Sequence, residues 1–178
     1  LADLKERKPF ALYGYCLMSN HFHLLLRPLG DTVSRIVQSL LVSHTQRYHK
    51  HHHSGGHVWQ GRFKSPVIQD DEHLLTVLRY IEANPLRAKL VKRAENYRWS
   101  SYPAHGCGET NELLDRLATY EELSPYPAVR QRKWSEKVHL PLDGKTLAAI
   151  QRSAATGLPS GNSSSARPLA SGGSFSRR

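Results

Sequence analysis

The sequence predicts one α+β domain with a largely antiparallel sheet, and three observations support this fold class. The chain has 178 residues, which can bury one ordinary hydrophobic core but leave little room for a second. Segments with strand character are mixed with amphipathic helical patterns, and no internal repeat is present. Two extended segments near the start are joined by a short turn, which favours antiparallel pairing.

A β-hairpin is predicted in this first part of the chain. Residues 10–17 are apolar and aromatic, Ser19 and Asn20 form a turn signal, and residues 21–27 resume an extended pattern. Residues 1–8 read as the tail of a helix that started earlier, so we expect that upstream residues are missing.

The next segment predicts a helix and then a strand. Asp31 is a candidate N-cap for a helix over residues 32–50, where apolar side chains recur at spacings of three and four. Gly55 and Gly56 break this pattern. Residues 59–69 then carry the β-branched and aromatic side chains that are typical of a strand.

A second amphipathic helix follows, with Asp70 or Asp71 as its N-cap, and Pro85 interrupts it. Its apolar stripe consists of Leu74, Val77, Leu78 and Ile81. Farther along the chain, residues 113–118 and 146–155 predict two shorter helices.

These patterns divide the chain into three parts. Residues 1–105 form the main domain, residues 106–160 a small helical extension, and residues 161–178 a tail. The tail is rich in Ser, Gly and Arg, which bury too little apolar area to offset the entropy of ordering. We therefore expect residues 161–178 to be disordered.

The chain is strongly basic, and this suits a polyanionic partner such as nucleic acid. Its formal net charge is +10, although a solubilising surface would give the same excess. Cys16 and Cys107 make no disulfide framework and no zinc spacing, so a reducing cytoplasm is expected. Residues 1–8 are too charged for a signal peptide, and no apolar stretch reaches about 20 residues, the length that spans a bilayer, so we expect neither secretion nor membrane insertion.

Candidate metal ligands lie in the second strand of the hairpin. Residues two apart in a strand share a face, so His21 and His23 point to one side while Phe22 points to the other. Two parallel imidazoles can hold one metal ion. The alternative is a pair of unliganded histidines near the end of a strand.

Tyr80 is the candidate nucleophile. It lies off the apolar stripe of the second helix, on a polar face shared with His73, Thr76 and Asn84. A phenol has a pKa of about 10 in water and attacks poorly unless a cation assists it, which a histidine-bound metal would do. The alternative is a partly buried amphipathic tyrosine.

Four strings in the sequence resemble a known family. The segments YCLMSNHFHLLLRP, GHVWQGRFKSPVIQ, LRYIEANPLRAKLV and YRWSSY occur in this order and at similar spacing in the REP-associated tyrosine transposases, which are IS200-like, single-tyrosine HUH transposases. The resemblance covers residues 11–102, and it extends more faintly to residues 148–161.

This resemblance implies a ferredoxin-like or RRM-like catalytic domain that cleaves and rejoins single-stranded or hairpin DNA during transposition. His21 and His23 occupy the HUH positions and Tyr80 the nucleophile position. In such enzymes the tyrosine forms a 5′-phosphotyrosine link and releases a 3′-hydroxyl. A monomer or a homodimer is expected. Relatives carry a strand and a helix upstream of the hairpin, and we expect this chain to start near the end of that helix.

The third metal ligand implied by the resemblance is Asn84, one helical turn after the nucleophile. Two imidazoles with an amide oxygen suit Mg²⁺ or Mn²⁺. The alternative is that Asn84 is the N-cap of a short helix over residues 85–91, as an Asn-Pro pair favours.

Candidate DNA contacts are cationic. Arg62 and Lys64 alternate with Phe63, so they would share one face of the strand predicted there, and Arg79 and Arg87 flank the tyrosine. Each of the four could instead be an ordinary solvated charge.

Two other functions remain open. The chain could be a domesticated regulator that binds DNA without cleaving it, or a metal-dependent hydrolase in which His21 and His23 activate water without a covalent intermediate.

One position departs from the family pattern, because Ser19 stands where relatives commonly have proline.

Overall fold

The computed structural model of this chain describes residues 1–68, 70–159 and 170–176. Across these residues the sheet has four strands: β1 (Phe10–Leu17), β2 (His21–Pro28), β3 (Val67–Ile68) and β4 (Ala170–Ser176). They lie in the order β1-β2-β4-β3, and every neighbouring pair is antiparallel.

Helices cover both faces of this sheet. In the described part of the chain they are α1 (Ala2–Arg7), α2 (Val33–His52), α3 (Asp71–Glu82), α4 (Asn84–Arg87), α5 (Tyr102–Cys107), α6 (Ala118–Glu121), α7 (Pro127–His139) and α8 (Gly144–Thr156). On one face Leu4 of α1 and Ile36 of α2 pack against Leu24. On the other face α3 and α5 to α8 pack around Leu25. This arrangement confirms the predicted α+β class.

The predicted hairpin is confirmed. Its strands pair down to Leu17 and Phe22 at the turn, and the register shifts between Leu12 and Gly14. A Cβ atom at Gly14 would collide with the side chain of Leu78 on α3. The absence of a side chain at this position therefore allows α3 to pack directly on β1.

The first long helix is confirmed as α2, but its N-cap is Thr32 and the prediction of Asp31 was wrong. The Thr32 hydroxyl accepts a hydrogen bond from the Arg35 amide at 3.3 Å. The Asp31 carboxylate instead pairs with the Lys8 ammonium at 2.6 Å. Its other oxygen accepts from the Thr32 backbone amide at 2.8 Å and lies 3.8 Å from the Arg35 guanidinium, so the carboxylate stays beside the start of α2 without acting as its N-cap.

The second helix, α3, is also confirmed. Asp70 is its N-cap, because its carboxylate accepts a hydrogen bond from the His73 amide at 2.7 Å. The predicted apolar stripe of Leu74, Val77, Leu78 and Ile81 is buried. α3 ends at Glu82, and Pro85 lies in the first turn of α4, where its missing amide hydrogen costs nothing.

The strand predicted over residues 59–69 is much shorter. Only Val67–Ile68 forms a strand, and Gln69 lies outside the described residues. Gly61 has a positive φ of 70°, and Pro66 has no amide hydrogen for a ladder bond. Arg62 and Lys64 therefore lie in an irregular segment and not on one face of a strand.

The helix predicted over residues 113–118 was wrong, because α6 starts only at Ala118. Asp115 explains the difference. Its amide donates to the Leu12 carbonyl oxygen at 2.8 Å, and its carboxylate accepts from the Leu12 amide at 2.7 Å and from the Lys5 ammonium at 2.5 Å. These bonds hold Asp115 against β1 and leave it outside a helix. The helix predicted over residues 146–155 is confirmed as α8.

Within the tail for which we predicted disorder, residues 170–176 form strand β4, while residues 161–169 and 177–178 lie outside the described residues. β4 pairs with β2 from Leu26 to His21 and with both residues of β3. Strand pairing uses backbone groups, so a segment of Gly and Ser can join a sheet without apolar side chains. The edges of β2 and β3 that face each other in the sheet are therefore both paired by β4.

The boundary predicted between residues 105 and 106 falls inside α5. Trp134 of α7 and Ile150 of α8 belong to the same buried cluster as Leu25 and Leu78. The helices after residue 105 therefore share one core with the hairpin. None of the described helices has both the length and the apolar character that crossing a membrane requires.

A buried carboxylate joins α3 to the later helices. Glu82 is fully buried, and its carboxylate accepts hydrogen bonds from the Ser101 hydroxyl at 2.5 Å and from the Trp134 indole at 2.7 Å. It also contacts His105 Nδ1 at 2.6 Å. The carboxylate thus has three partners: Ser101, which directly precedes α5, His105 of α5, and Trp134 of α7.

We predict that Glu82→Ala lowers the free energy of unfolding by about 3–5 kcal/mol, because it leaves buried donors without an acceptor. Urea unfolding followed by circular dichroism measures this change. Glu136→Ala is the control, since Glu136 is exposed on α7, and its effect should stay within about 0.5 kcal/mol. Equal effects of the two substitutions would contradict the role of the buried network.

Candidate active site

The two histidines of β2 lie on the face of the sheet that α3 covers. Leu25, two residues after His23, belongs to the cluster around α3, whereas Phe22 and Leu24 belong to the cluster around α2. The ring centroids of His21 and His23 are 5.0 Å apart with the planes at 85°. The predicted common face of the pair is therefore observed.

Both imidazoles are neutral at physiological pH. Burial, together with the smaller effects of the charges of His21 and Arg87, lowers the pKa of His23 to about 3. Burial also lowers the pKa of His21. Because the Asn20 side-chain oxygen can only accept, His21 Nδ1 donates to it at 2.7 Å, and the lone pair remains on Nε2. Neutral imidazole is the form that binds metal ions.

Tyr80 lies against this pair. Its ring centroid is 5.8 Å from that of His23, with the planes at 79°. The side chain is only 7% exposed and belongs to the core cluster around α3. The face of α3 that was predicted to be polar and open is thus partly covered, and Tyr80 faces the sheet and not the bulk solvent.

Arg87 holds Tyr80 from the other side. The guanidinium carbon lies 4.1 Å from the centroid of the Tyr80 ring, a cation–π distance. The same guanidinium donates to the Tyr80 carbonyl oxygen at 3.2 Å and to the Asn84 side-chain oxygen at 2.7 Å. A single cation therefore contacts the ring, the backbone and the next polar side chain of this segment.

Asn84 is buried in the same arrangement. Its side-chain nitrogen donates to the Tyr80 carbonyl oxygen at 3.1 Å, one turn earlier. The alternative role as an N-cap was wrong, because α4 begins at Asn84, its N-cap is Ala83, and no side chain caps it. Asn84 instead joins the end of α3 to Arg87.

The donor set fits a divalent metal in part. Two neutral imidazoles on one face are suitable nitrogen ligands. In the part of the chain that the structure describes, no cluster of three His, Cys, Asp or Glu side chains could hold an ion. Asn84 is the oxygen ligand that we predicted, and its side-chain oxygen already accepts a hydrogen bond from Arg87. Two ligands are therefore available, and the third is shared with a cation.

The four cations predicted to contact DNA differ in their exposure and in their partners within the protein. Arg62 and Lys64 are exposed. The Arg79 guanidinium instead donates to the carbonyl oxygens of Leu140 at 2.8 Å and Pro141 at 3.1 Å, and burial lowers its pKa. Arg79 therefore fixes the segment after α7 to α3, whereas Arg87 lies beside the tyrosine.

Sequence reasoning missed Glu82 and its partners. A signal was present, since Glu82 comes four residues after Leu78 and thus falls on the apolar stripe of α3. A carboxylate in that position must be either exposed at the edge of the stripe or buried with partners. The second possibility is what the structure contains.

Comparisons with known proteins agree with the four motifs. Residues 1–84 match the protein family described as "Transposase IS200 like". The chain is also 29% identical over 110 residues to a Haemophilus influenzae protein classed provisionally as a REP-associated tyrosine transposase, with 54% of this chain and 61% of the relative covered. The chain thus spans about three fifths of the length of that relative. No solved structure matches the chain.

The matched segment contains the histidine pair, Tyr80 and Asn84, which are the residues that the structure brings together. Residues 1–84 are therefore similar to the IS200-like transposase family, the resemblance that the motifs in this segment indicated.

Proposed function

We propose that this protein is a transposase that cleaves single-stranded or hairpin DNA and rejoins it through a covalent link to Tyr80. The observation that carries the proposal is the distance of 5.8 Å between the rings of His23 and Tyr80, on a sheet face that also holds His21. A phenol and two metal-binding imidazoles have no packing reason to meet in this way, since apolar side chains would fill the same space.

The reaction keeps the energy of the phosphodiester. The Tyr80 oxygen attacks the phosphorus, a P–O bond forms, and the bond from phosphorus to the 3′-oxygen breaks. The phenol gives up its proton, and the leaving 3′-oxygen takes one to become a hydroxyl. A different 3′-hydroxyl then attacks the phosphotyrosine and releases Tyr80, so no ATP is needed.

His21 and His23 would hold a divalent cation, Mg²⁺ or Mn²⁺. When bound, such an ion polarises the scissile phosphate and offsets the negative charge that grows on its oxygens. Asn84 would serve as the third ligand through the lone pair of its oxygen that Arg87 does not use. The amide also keeps its hydrogen bond to the Tyr80 backbone, which fixes the oxygen beside the nucleophile.

Arg87 controls access to the tyrosine. Its guanidinium covers the ring of Tyr80, which is almost fully buried before DNA binds. A phosphate offers the guanidinium two charged oxygens in place of two neutral carbonyl oxygens, and such charge-assisted bonds are stronger. DNA would thus draw Arg87 off the ring and bring the phosphate to the phenol.

The other three cations have different roles in this proposal. Arg62 and Lys64 would hold the DNA strand farther from Tyr80, and we assign Arg79 a structural role.

One observation favours a second function. The burial of Tyr80 is also what a regulator that binds DNA without cleaving it would tolerate, because its tyrosine need not meet substrate. A metal-dependent hydrolase would likewise leave no covalent product. Covalent trapping of DNA separates both alternatives from the proposal. A cytoplasmic location and a monomeric or homodimeric state are further parts of this proposal.

We predict that Tyr80→Phe abolishes the covalent adduct with single-stranded DNA and leaves DNA affinity nearly unchanged, because only the attacking oxygen is lost. The adduct is measured as a shifted band on a denaturing gel after incubation with palindromic oligonucleotides. Tyr97→Phe is the matched control, since the Tyr97 hydroxyl donates to the Leu17 carbonyl oxygen and burial raises the pKa of Tyr97. Adduct formation by the Tyr80 variant would move the nucleophile elsewhere.

We predict that His21→Ala and His23→Ala each stop cleavage, as does removal of metal from the unchanged protein with EDTA. Mg²⁺ or Mn²⁺ should restore the chelated protein and neither variant, because the variants lack a ligand. His57→Ala serves as control, since His57 is exposed outside β2. Full cleavage in EDTA would exclude a metal from the mechanism.

We predict that replacing Arg62 and Lys64 together by Gln weakens binding and lowers the salt slope by about 1.4, since each phosphate contact contributes about 0.7 on single strands. Titrations at several salt concentrations measure the slope. The double substitution of Arg132 and Lys137 on α7 removes the same charge from exposed positions and should leave the slope unchanged. Equal slopes for both double variants would place the DNA away from residues 62–64.

A further inference from the structure

An exposed tryptophan with an arginine beside it lies next to the turn of the histidine hairpin. Trp99 is 53% exposed, and the guanidinium carbon of Arg98 lies 4.6 Å from the centroid of its ring. Arg98 is itself exposed. The exposed face of the indole is therefore available to a planar partner, because an aromatic ring can stack on it.

The backbone around Trp99 is fixed to the end of β1. The Leu17 amide donates to the Trp99 carbonyl oxygen at 2.8 Å, and the Tyr97 hydroxyl donates to the Leu17 carbonyl oxygen at 2.6 Å. Ser100 forms a bridge with Cys16 in the same strand. Contacts with β1 therefore hold the chain at the residues before and after Trp99 as well as at Trp99 itself.

This attachment places Trp99 near the histidine pair. Leu17, to which the Trp99 backbone bonds, pairs with Phe22, and Phe22 stands between His21 and His23 in β2. The tryptophan thus belongs to the end of the hairpin where both histidines lie. Neither Trp99 nor Arg98 contributes to the arrangement of Tyr80, Asn84 and Arg87.

We infer that Trp99 and Arg98 form a platform on which an unpaired base of the DNA stacks beside the cleaved bond. This inference rests on the proposed function and adds the part of the substrate that the platform takes. Every base offers a π-face to an indole, and stacking of this kind needs no particular sequence. The guanidinium completes the platform, because it can contact the phosphate next to the stacked base.

Charge favours a nucleic acid over a protein as the occupant of this platform. The chain carries a net charge of +10, and the exposed ring is paired with a cation. Leu17 is the neighbouring exposed apolar side chain, at 40% exposure, so the apolar surface here is about one ring with a small border. A stable protein interface needs a larger area, on the order of 800 Å² per partner.

The test measures binding of a labelled oligothymidylate to the non-cleaving Tyr80→Phe protein. Trp99→Ala in this background should weaken binding about tenfold or more, and Trp99→Phe should keep most of the affinity because it keeps a stacking ring. Tyr126→Ala is the matched control, since Tyr126 is a 70% exposed aromatic residue at the start of α7. It should leave the affinity unchanged.

Two further readouts distinguish stacking from a contact with the backbone. An abasic oligonucleotide keeps the phosphates and lacks the bases, so the Trp99→Ala and parent proteins should bind it equally. Oligothymidylate should also quench the tryptophan fluorescence of the parent protein, and the quenching should be lost in Trp99→Ala. Matching thermal unfolding curves establish that the variants are folded.

The inference is overturned if Trp99→Ala keeps its affinity and its quenching, or if it loses affinity equally for the abasic strand. A change in oligomeric state with unaltered DNA affinity would also overturn it, because the ring would then belong to a protein interface. Adduct formation by the unchanged protein tests the proposed cleavage separately. If the protein stacks a base on Trp99 but forms no adduct, the proposed cleavage is refuted and the stacking platform is still supported.

Discussion

The position of α3 over the hairpin depends on one buried carboxylate. Glu82 accepts hydrogen bonds from Ser101 and Trp134 and contacts His105, so the end of α3 is tied to elements that come later in the chain. The Ser101 amide also donates to the Tyr15 carbonyl oxygen of β1, and the Ser101 hydroxyl oxygen accepts from the Tyr15 amide. Because Glu82 lies two residues after Tyr80, the same bonds fix the distance between the tyrosine and the strand of histidines. Buried charged groups hold such positions well, since any displacement leaves a donor or acceptor unpaired.

Local patterns predicted the parts of the fold that local physics determines. The hairpin, α2, α3 and α8 follow from alternation, apolar spacing and caps, and the common face of His21 and His23 follows from strand geometry alone. Contacts between distant residues decide the rest. Asp115 lies against β1 because it bonds to Leu12, and the Asp31 carboxylate pairs with the distant Lys8 while Thr32 caps α2. No window of neighbouring residues contains those partners.

The candidate site likewise has some features that the sequence predicted and others that it could not. Strand and helix periodicity placed the histidines and Tyr80 on faces that could meet, and the motifs indicated which residues to compare. The burial of Tyr80 and the cover that Arg87 places over it could not be predicted, because both depend on how the end of α3 turns into α4. Asn84 has two partners inside this turn, so its amide organises the site whether or not it also binds a metal.

The position of β4 has a consequence for how the protein is made. His21 pairs with Ser176, so the sheet joins segments that leave the ribosome at very different times. During synthesis the hairpin and α3 can form early, but one edge of β2 has no partner until residues 170–176 have emerged. An open strand edge readily pairs with other chains, and sheets built from distant segments form slowly. The nascent chain is therefore most prone to aggregation between completion of β2 and arrival of β4.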